Sequence, residues 1–246
     1  MTSGRTTPAL LGCEDELASP AGDWVVKLRG TVQRAGLLRE LLGSRLASHF
    51  ELEVPEPALV TLEKSLADLI SFVYPSKSGL IDGSVGLNFG SKELIGYIEW
   101  PIDMKIPDAI WQTVVNIFAF DALVQNPDRR FKNPNLFVKG DSLAIFDHET
   151  AFSFLDAIFP SGTPWRLGTE RYLTDHVFYR QLKSKDVDLM DFTARLTGLT
   201  DAVIDRILEE APAEWNHEDA QKIAQHLRAV RNHAEEFSEE VRRFLV

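Results

Sequence analysis

Alternation along Asp23-Trp24-Val25-Val26-Lys27-Leu28-Arg29 puts Trp24, Val26 and Leu28 on one face and Val25, Lys27 and Arg29 on the other. That period of two predicts a strand of a small sheet. The period then becomes helical: Leu37, Leu38, Leu41, Leu42 and Leu46 form one broad stripe within 35–50 and predict a helix facing the core. Glu40 lies on a different face, shared with Gly43, Ser44 and Ala47, where small side chains permit another element to come close. Val54-Pro55-Glu56-Pro57 reads as a turn into a further strand. Over 110–125 apolar residues occupy nearly every side, the mark of a central buried helix. Asp121 sits among them and needs a partner, Arg129 or Arg130. Leu136-Phe137-Val138 and Leu143-Ala144-Ile145-Phe146 read as two strands joined by the turn Lys139-Gly140-Asp141-Ser142. After Pro164 four more helices are expected, around 172–182, 188–196, 201–208 and 217–245, punctuated by Gly198 and Pro212. The pattern predicts an α+β protein of two lobes. The first, 1–90, carries a sheet and one helix; the second, 91–246, is mainly helical; a hinge is expected near 88–92. Gly83, Gly86 and Gly90 lead into that hinge and do not have the spacing of a dinucleotide fingerprint.

Composition narrows the classes. The chain has 246 residues with 44% hydrophobic content, ample for a core. Its net charge of −11 and lack of any dense basic run argue against nucleic acid as a partner, because neutralising phosphates needs clustered Lys and Arg. The single cysteine, Cys13, admits no intramolecular disulfide, in keeping with a reducing compartment. Neither a secretory start nor an apolar run of the roughly 20 residues that span a bilayer is present. A cytoplasmic protein without a membrane partner is the expectation. The six histidines show no H-E-x-x-H spacing, and His226 and His233 are expected on a helix surface. Arg228, Arg231, Glu235 and Glu239 read as a solvated face.

The chemistry concentrates in Asn126-Pro127-Asp128-Arg129-Arg130-Phe131-Lys132-Asn133 and the hairpin ending at Asp147. The two Asn-Pro steps make 126–134 a loop, and the second strand returns Asp147 towards it. An aspartate, an asparagine five residues later and an acid closing the next strand are how phosphotransferases assemble a base and a magnesium site. Magnesium takes few protein ligands beside phosphate and water oxygens, so one amide and one carboxylate suffice. Such a site also needs a cation for the nucleotide phosphates. Lys27 on its strand, oriented by Glu40 on the helix, would provide it. The sequence predicts an ATP- and Mg2+-dependent kinase.

The run Phe120-Asp121-Ala122-Leu123-Val124-Gln125-Asn126-Pro127-Asp128-Arg129-Arg130, with Asn133-Pro134-Asn135-Leu136 and Ile145-Phe146-Asp147-His148, resembles the compact HipA-like kinases. These are bacterial relatives of the HipA toxin kinase and, more distantly, of phosphatidylinositol 3/4-kinases. The resemblance implies a two-lobed protein-kinase-like fold, Asp128 as catalytic base, and Asn133 and Asp147 as magnesium ligands. Arginine follows the catalytic acid here, whereas eukaryotic protein kinases place it before. Ser3-Gly4-Arg5-Thr6-Thr7-Pro8 is similar to the family's G-R-S/T-x-P segment, making Gly4, Arg5, Thr6 and Thr7 phosphate-cradling candidates. Only three residues precede Gly4, so the strand leading into that loop is expected to be missing or very short. A protein serine/threonine acceptor is implied, with a small antitoxin-like regulator as a second partner. Two other readings remain: a small-molecule or lipid kinase using a similar motif, and a pseudokinase that binds a partner without transfer.

Overall fold

The computed structural model describes residues 8–157, 162–168 and 171–246. The first lobe runs β1 (Ala9–Glu14), β2 (Pro20–Lys27), α1 (Arg34–His49), β3 (Pro57–Leu62), α2 (Lys64–Val73), α3 (Ser78–Asp82) and β4 (Gly86–Lys92). Its strands form an antiparallel sheet in the order β1-β2-β4-β3. The alternation at β2 holds: Trp24, Val26 and Leu28 are buried together with Leu62, Ala67 and Ile81 beneath α2 and α3. Those two helices were not anticipated, so among the described residues the lobe carries three α-helices rather than one. The opposite face carries Lys27, paired in register with Phe89, and Phe89 packs in the main core with the leucines of α1.

α1 ends where Glu51 takes a left-handed φ of 55° and the Leu52 amide reaches back to the Ala47 carbonyl at 3.0 Å. Phe50, just beyond, stacks on Phe192 and leans on Phe120, fastening α1 to the helical lobe. The stretch 88–92, expected as a hinge, lies within β4, where Asn88 and Phe89 are buried between neighbouring strands. Passage to the second lobe therefore falls after Lys92.

The second lobe runs β5 (Ile98–Glu99), α4 (Trp111–Leu123), β6 (Leu136–Lys139), β7 (Ser142–Ile145), α5 (Arg171–Thr174), α6 (Tyr179–Leu182), α7 (Met190–Thr197), α8 (Asp201–Glu209), α9 (His217–Arg231) and α10 (Ala234–Leu245). β5-β6-β7 make a small antiparallel sheet, and α4 is buried along most of its length. Two of the expected helices are each two. The stretch over 172–182 breaks because residue 176 pairs its backbone with Arg130. The long C-terminal helix breaks at Asn232-His233. His226 is buried instead of lying on the surface: its Nε2 donates to the Leu123 carbonyl at 2.8 Å and its ring stacks on Phe154. His233 is more open and stacks on Trp165, with 3.5 Å between ring centroids. Among the described residues, no helix is long and apolar enough to cross a membrane.

Candidate active site

The loop after α4 is shaped by its own side chains. Asn126 Nδ2 donates to Asp121 Oδ1 at 3.1 Å, while its Oδ1 accepts the Asp128 amide at 3.2 Å, the Asx turn that Asn-Pro favours. Reciprocal backbone bonds of 3.0 Å between Arg130 and Asn133 then fold the loop back on itself. The fold-back delivers Asn133 Nδ2 to Asp128 Oδ2 at 2.9 Å, with Asn135 Nδ2 at 3.3 Å. Arg130 Nη2 donates to Asp128 Oδ1 at 2.6 Å. Asp128 is thus fixed by three side chains and keeps about 22% of its own side chain exposed.

The hairpin β6–β7 turns at Gly140, whose φ of 58° suits glycine. Phe146 closes it by donating its amide to the Asn135 carbonyl at 3.2 Å. Asp147 follows with φ of 61°, a left-handed conformation that aspartate tolerates better than most residues. Its Oδ1 accepts from Lys27 Nζ at 2.7 Å.

Lys27, Glu40 and Asp147, from a strand, a helix and a hairpin end, meet directly. Lys27 donates to Glu40 and, at 3.4 Å, to Glu149, a carboxylate that sequence reasoning missed although it stands two residues beyond Asp147. Glu40, Asp147 and Glu149 each offer an oxygen within 4.8 Å of the others. Burial alone would lower the Lys27 pKa, but Glu40 and Asp147 together hold it well above the ordinary lysine range. Burial pushes Glu40 up to about 7, with Lys27 opposing and Asp147 adding to the rise. Gly43 explains how the hairpin end comes so near α1. A Cβ there would stand 2.6 Å from the His148 Cβ, and the His148 amide donates to Glu40 Oε2 at 3.0 Å.

No hydrogen bond joins Asp128 or Asn133 to Asp147. The two groups are linked through Arg129, which is fully buried. Its Nε and Nη2 hold Asp121 at 2.5 and 3.3 Å, while Nη1 donates to the carbonyls of Asn135 at 2.7 Å and Phe146 at 3.2 Å. One guanidinium therefore holds both ends of the hairpin against α4. His176 Nε2, buried at 3.0 Å from Asp121 Oδ2, completes this anchor; nothing in the spacing of a lone histidine announced it. Of the phosphate-loop candidates, Gly4, Arg5, Thr6 and Thr7 lie outside the described residues.

His148 shows how the anchor responds to pH. Its Nε2 lies 3.4 Å from Arg129 Nη2, and since arginine only donates, that nitrogen is an acceptor and the ring is neutral. Burial, followed by the Arg129 charge, depresses its pKa to about 3. Between the unfolded value near 6.5 and about 3 the unfolded chain binds a proton that the native state refuses. Stability is thus complete above pH 6.5 and falls as pH drops, by about 1.4 kcal/mol per unit for this group. Burial shifts His176 and His226 the same way. His148→Gln is expected to flatten the pH 5–7 dependence of urea unfolding by about one proton. An unchanged slope would mean that His148 charges within the fold.

A small antiparallel sheet with its lysine held by a helix glutamate, over a helical lobe carrying a carboxylate loop and an acid-tipped hairpin, defines a two-lobed kinase-like fold. The chain belongs to the HipA-like kinase family, whose model matches residues 1–243. Among solved structures, the Helicobacter pylori proinflammatory kinase CtkA is similar at 13% identity, over 97% of this chain and 94% of that chain, with a TM-score of 0.49. No curated protein matches.

Proposed function

We propose that this HipA-like kinase transfers the γ-phosphoryl group of ATP to serine or threonine of a protein, with Mg2+ bound, in a cleft between a first lobe that ends with β4 and the mainly helical lobe after it. The observation that carries the reading is the convergence of Lys27, Glu40 and Asp147 from elements up to 120 residues apart. The donor set suits a hard cation, being all oxygen: Asp147 and Glu149 keep 29% and 23% of their side chains exposed at one cluster. Asn133, whose amide nitrogen is engaged by Asp128, has its carbonyl oxygen for a metal. Asn133 and Asp147 would hold the ion, which when bound offsets charge developing on the phosphoryl oxygens. Lys27, kept cationic and oriented by Glu40, holds the phosphates. Asp128, fixed on its loop, accepts the acceptor hydroxyl proton as the new oxygen–phosphorus bond forms and the bridging bond to ADP breaks.

The direct test is incubation of the purified protein with labelled ATP and a cell extract, with and without chelator, followed by mapping of modified residues. Chelator-sensitive label on serine or threonine is expected; label on small molecules or lipids alone would reassign the acceptor. Asp147→Asn is expected to weaken magnesium-dependent nucleotide binding by at least about tenfold, as outer and inner metal ligands commonly do. Calorimetry with Mg-ATP reads this directly, and undiminished affinity would remove Asp147 from the metal site.

A further inference from the structure

Beside the catalytic loop lies an open groove of about 570 Å3 whose wall includes Phe131, three residues after Asp128. Its floor is apolar, formed by Phe131 with Ile106, Trp111 and Val177. Hydrogen bonds tie both banks of the groove to neighbouring elements. Gln181 accepts the Ile106 amide at 3.0 Å and donates to the Met104 carbonyl at 3.1 Å, fixing one bank to α6. The Phe131 amide donates to the Asp175 carbonyl at 3.2 Å, and the Val177 amide to the Arg129 carbonyl at 3.0 Å, fixing the other to the catalytic loop.

The charge around this floor is opposite to that of the molecule. Lys105, Arg180 and Lys185 line it against a single acid, Asp103, in a chain of net charge −11. None of the three cations is within ion-pair distance of a described carboxylate, although most cations in the described chain are paired. Arg180 instead lies over the Phe131 ring, 5.2 Å from its centroid. Unpaired cations on an apolar floor suit a ligand that carries both anionic and apolar side chains, as an extended peptide does. A lone phosphorylated headgroup would leave the aromatic floor uncovered.

Resting on the kinase reading above, we infer that this groove docks the acceptor, and that the acceptor is a protein segment with acidic residues and an apolar anchor flanking its hydroxyl residue. Such a segment would be drawn to one basic patch on a molecule that otherwise repels it, making the preference depend on ionic strength.

Fluorescence anisotropy tests this without requiring transfer. Two labelled short peptides are compared, a serine flanked by Glu and Leu and its counterpart with Lys in place of Glu. The acidic peptide is expected to bind at least about tenfold more tightly at low salt, with the advantage shrinking as salt rises. Lys105→Glu with Lys185→Glu is expected to reverse the preference; both side chains are exposed, and a thermal melt verifies that the pair folds. Equal affinity for the two peptides, or a preference unchanged in the double variant, would overturn the inference. So would capture of phosphoinositide vesicles by the wild type and not the variant, with no peptide binding. Selective peptide binding without phosphoryl transfer would keep the groove and defeat only the kinase reading.

Discussion

Asp128→Asn is expected to slow phosphoryl transfer by between about a hundredfold and ten-thousandfold, the range a positioned proton acceptor contributes, while Mg-ATP affinity stays nearly constant. The asparagine is nearly the same size and its one oxygen can still accept from Arg130, while its amide nitrogen faces Asn133 in place of an acceptor, so the loop should keep most of its shape. The capacity to take a proton is removed, together with one acceptor of the loop's own bonds. Transfer from labelled ATP to a cell extract, read beside calorimetry of nucleotide binding, separates the two effects. Equal rates for variant and wild type would deny Asp128 its role as base. Loss of binding together with rate would make it part of the metal site instead.

The sequence revealed the parts of the site whose chemistry repeats a local rule. Asx-Pro turns made the 126–134 loop legible, period-two alternation put Lys27 on the face away from Trp24, and small residues beside Glu40 announced a close approach, met by His148 over Gly43. What stayed hidden depends on long-range packing. α2 and α3 lie between two strands and cover a sheet face that the alternation said must be buried, but alternation does not say by what. His226 and His176 have ordinary helical surroundings in sequence, and only the Leu123 carbonyl and the Asp121 carboxylate, 103 and 55 residues away, make them interior. Glu149 gave no local signal because its partner, Lys27, is 122 positions distant. Asp121 was different: an acid in a helix greasy on all sides demanded a cation, and two candidates stood nearby. The structure divides them by burial, with Arg129 taking Asp121 inside and Arg130 taking Asp128 at the surface.

That division makes Arg129 the position where a substitution should cost the fold most. Arg129→Met leaves the Asp121 carboxylate with only the Asn126 amide and His176, inside a core that excludes water. Burial raises the pKa of Asp121, yet Arg129 first and His176 next bring it down to about 2. Without the guanidinium the buried charge is uncompensated, a loss of about 3–5 kcal/mol for a buried pair broken on one side. The Asn135 and Phe146 carbonyls lose a donor as well. Against a typical total of about 5–15 kcal/mol, such a variant should be close to unfolding. Urea denaturation of Arg129→Met and of Arg129→Met with Asp121→Leu tells charge from shape. Removing both partners is expected to restore much of the stability, because an apolar pair can replace a buried ion pair at little cost. It should not restore transfer, since the hairpin ends that carry Asn135 and Asp147 would still lack the guanidinium that clamps the Asn135 and Phe146 carbonyls. A double variant that is both stable and fully active would show that Arg129 serves the core alone, and a single variant less than about 1 kcal/mol below wild type would show that Asp121 does not depend on it.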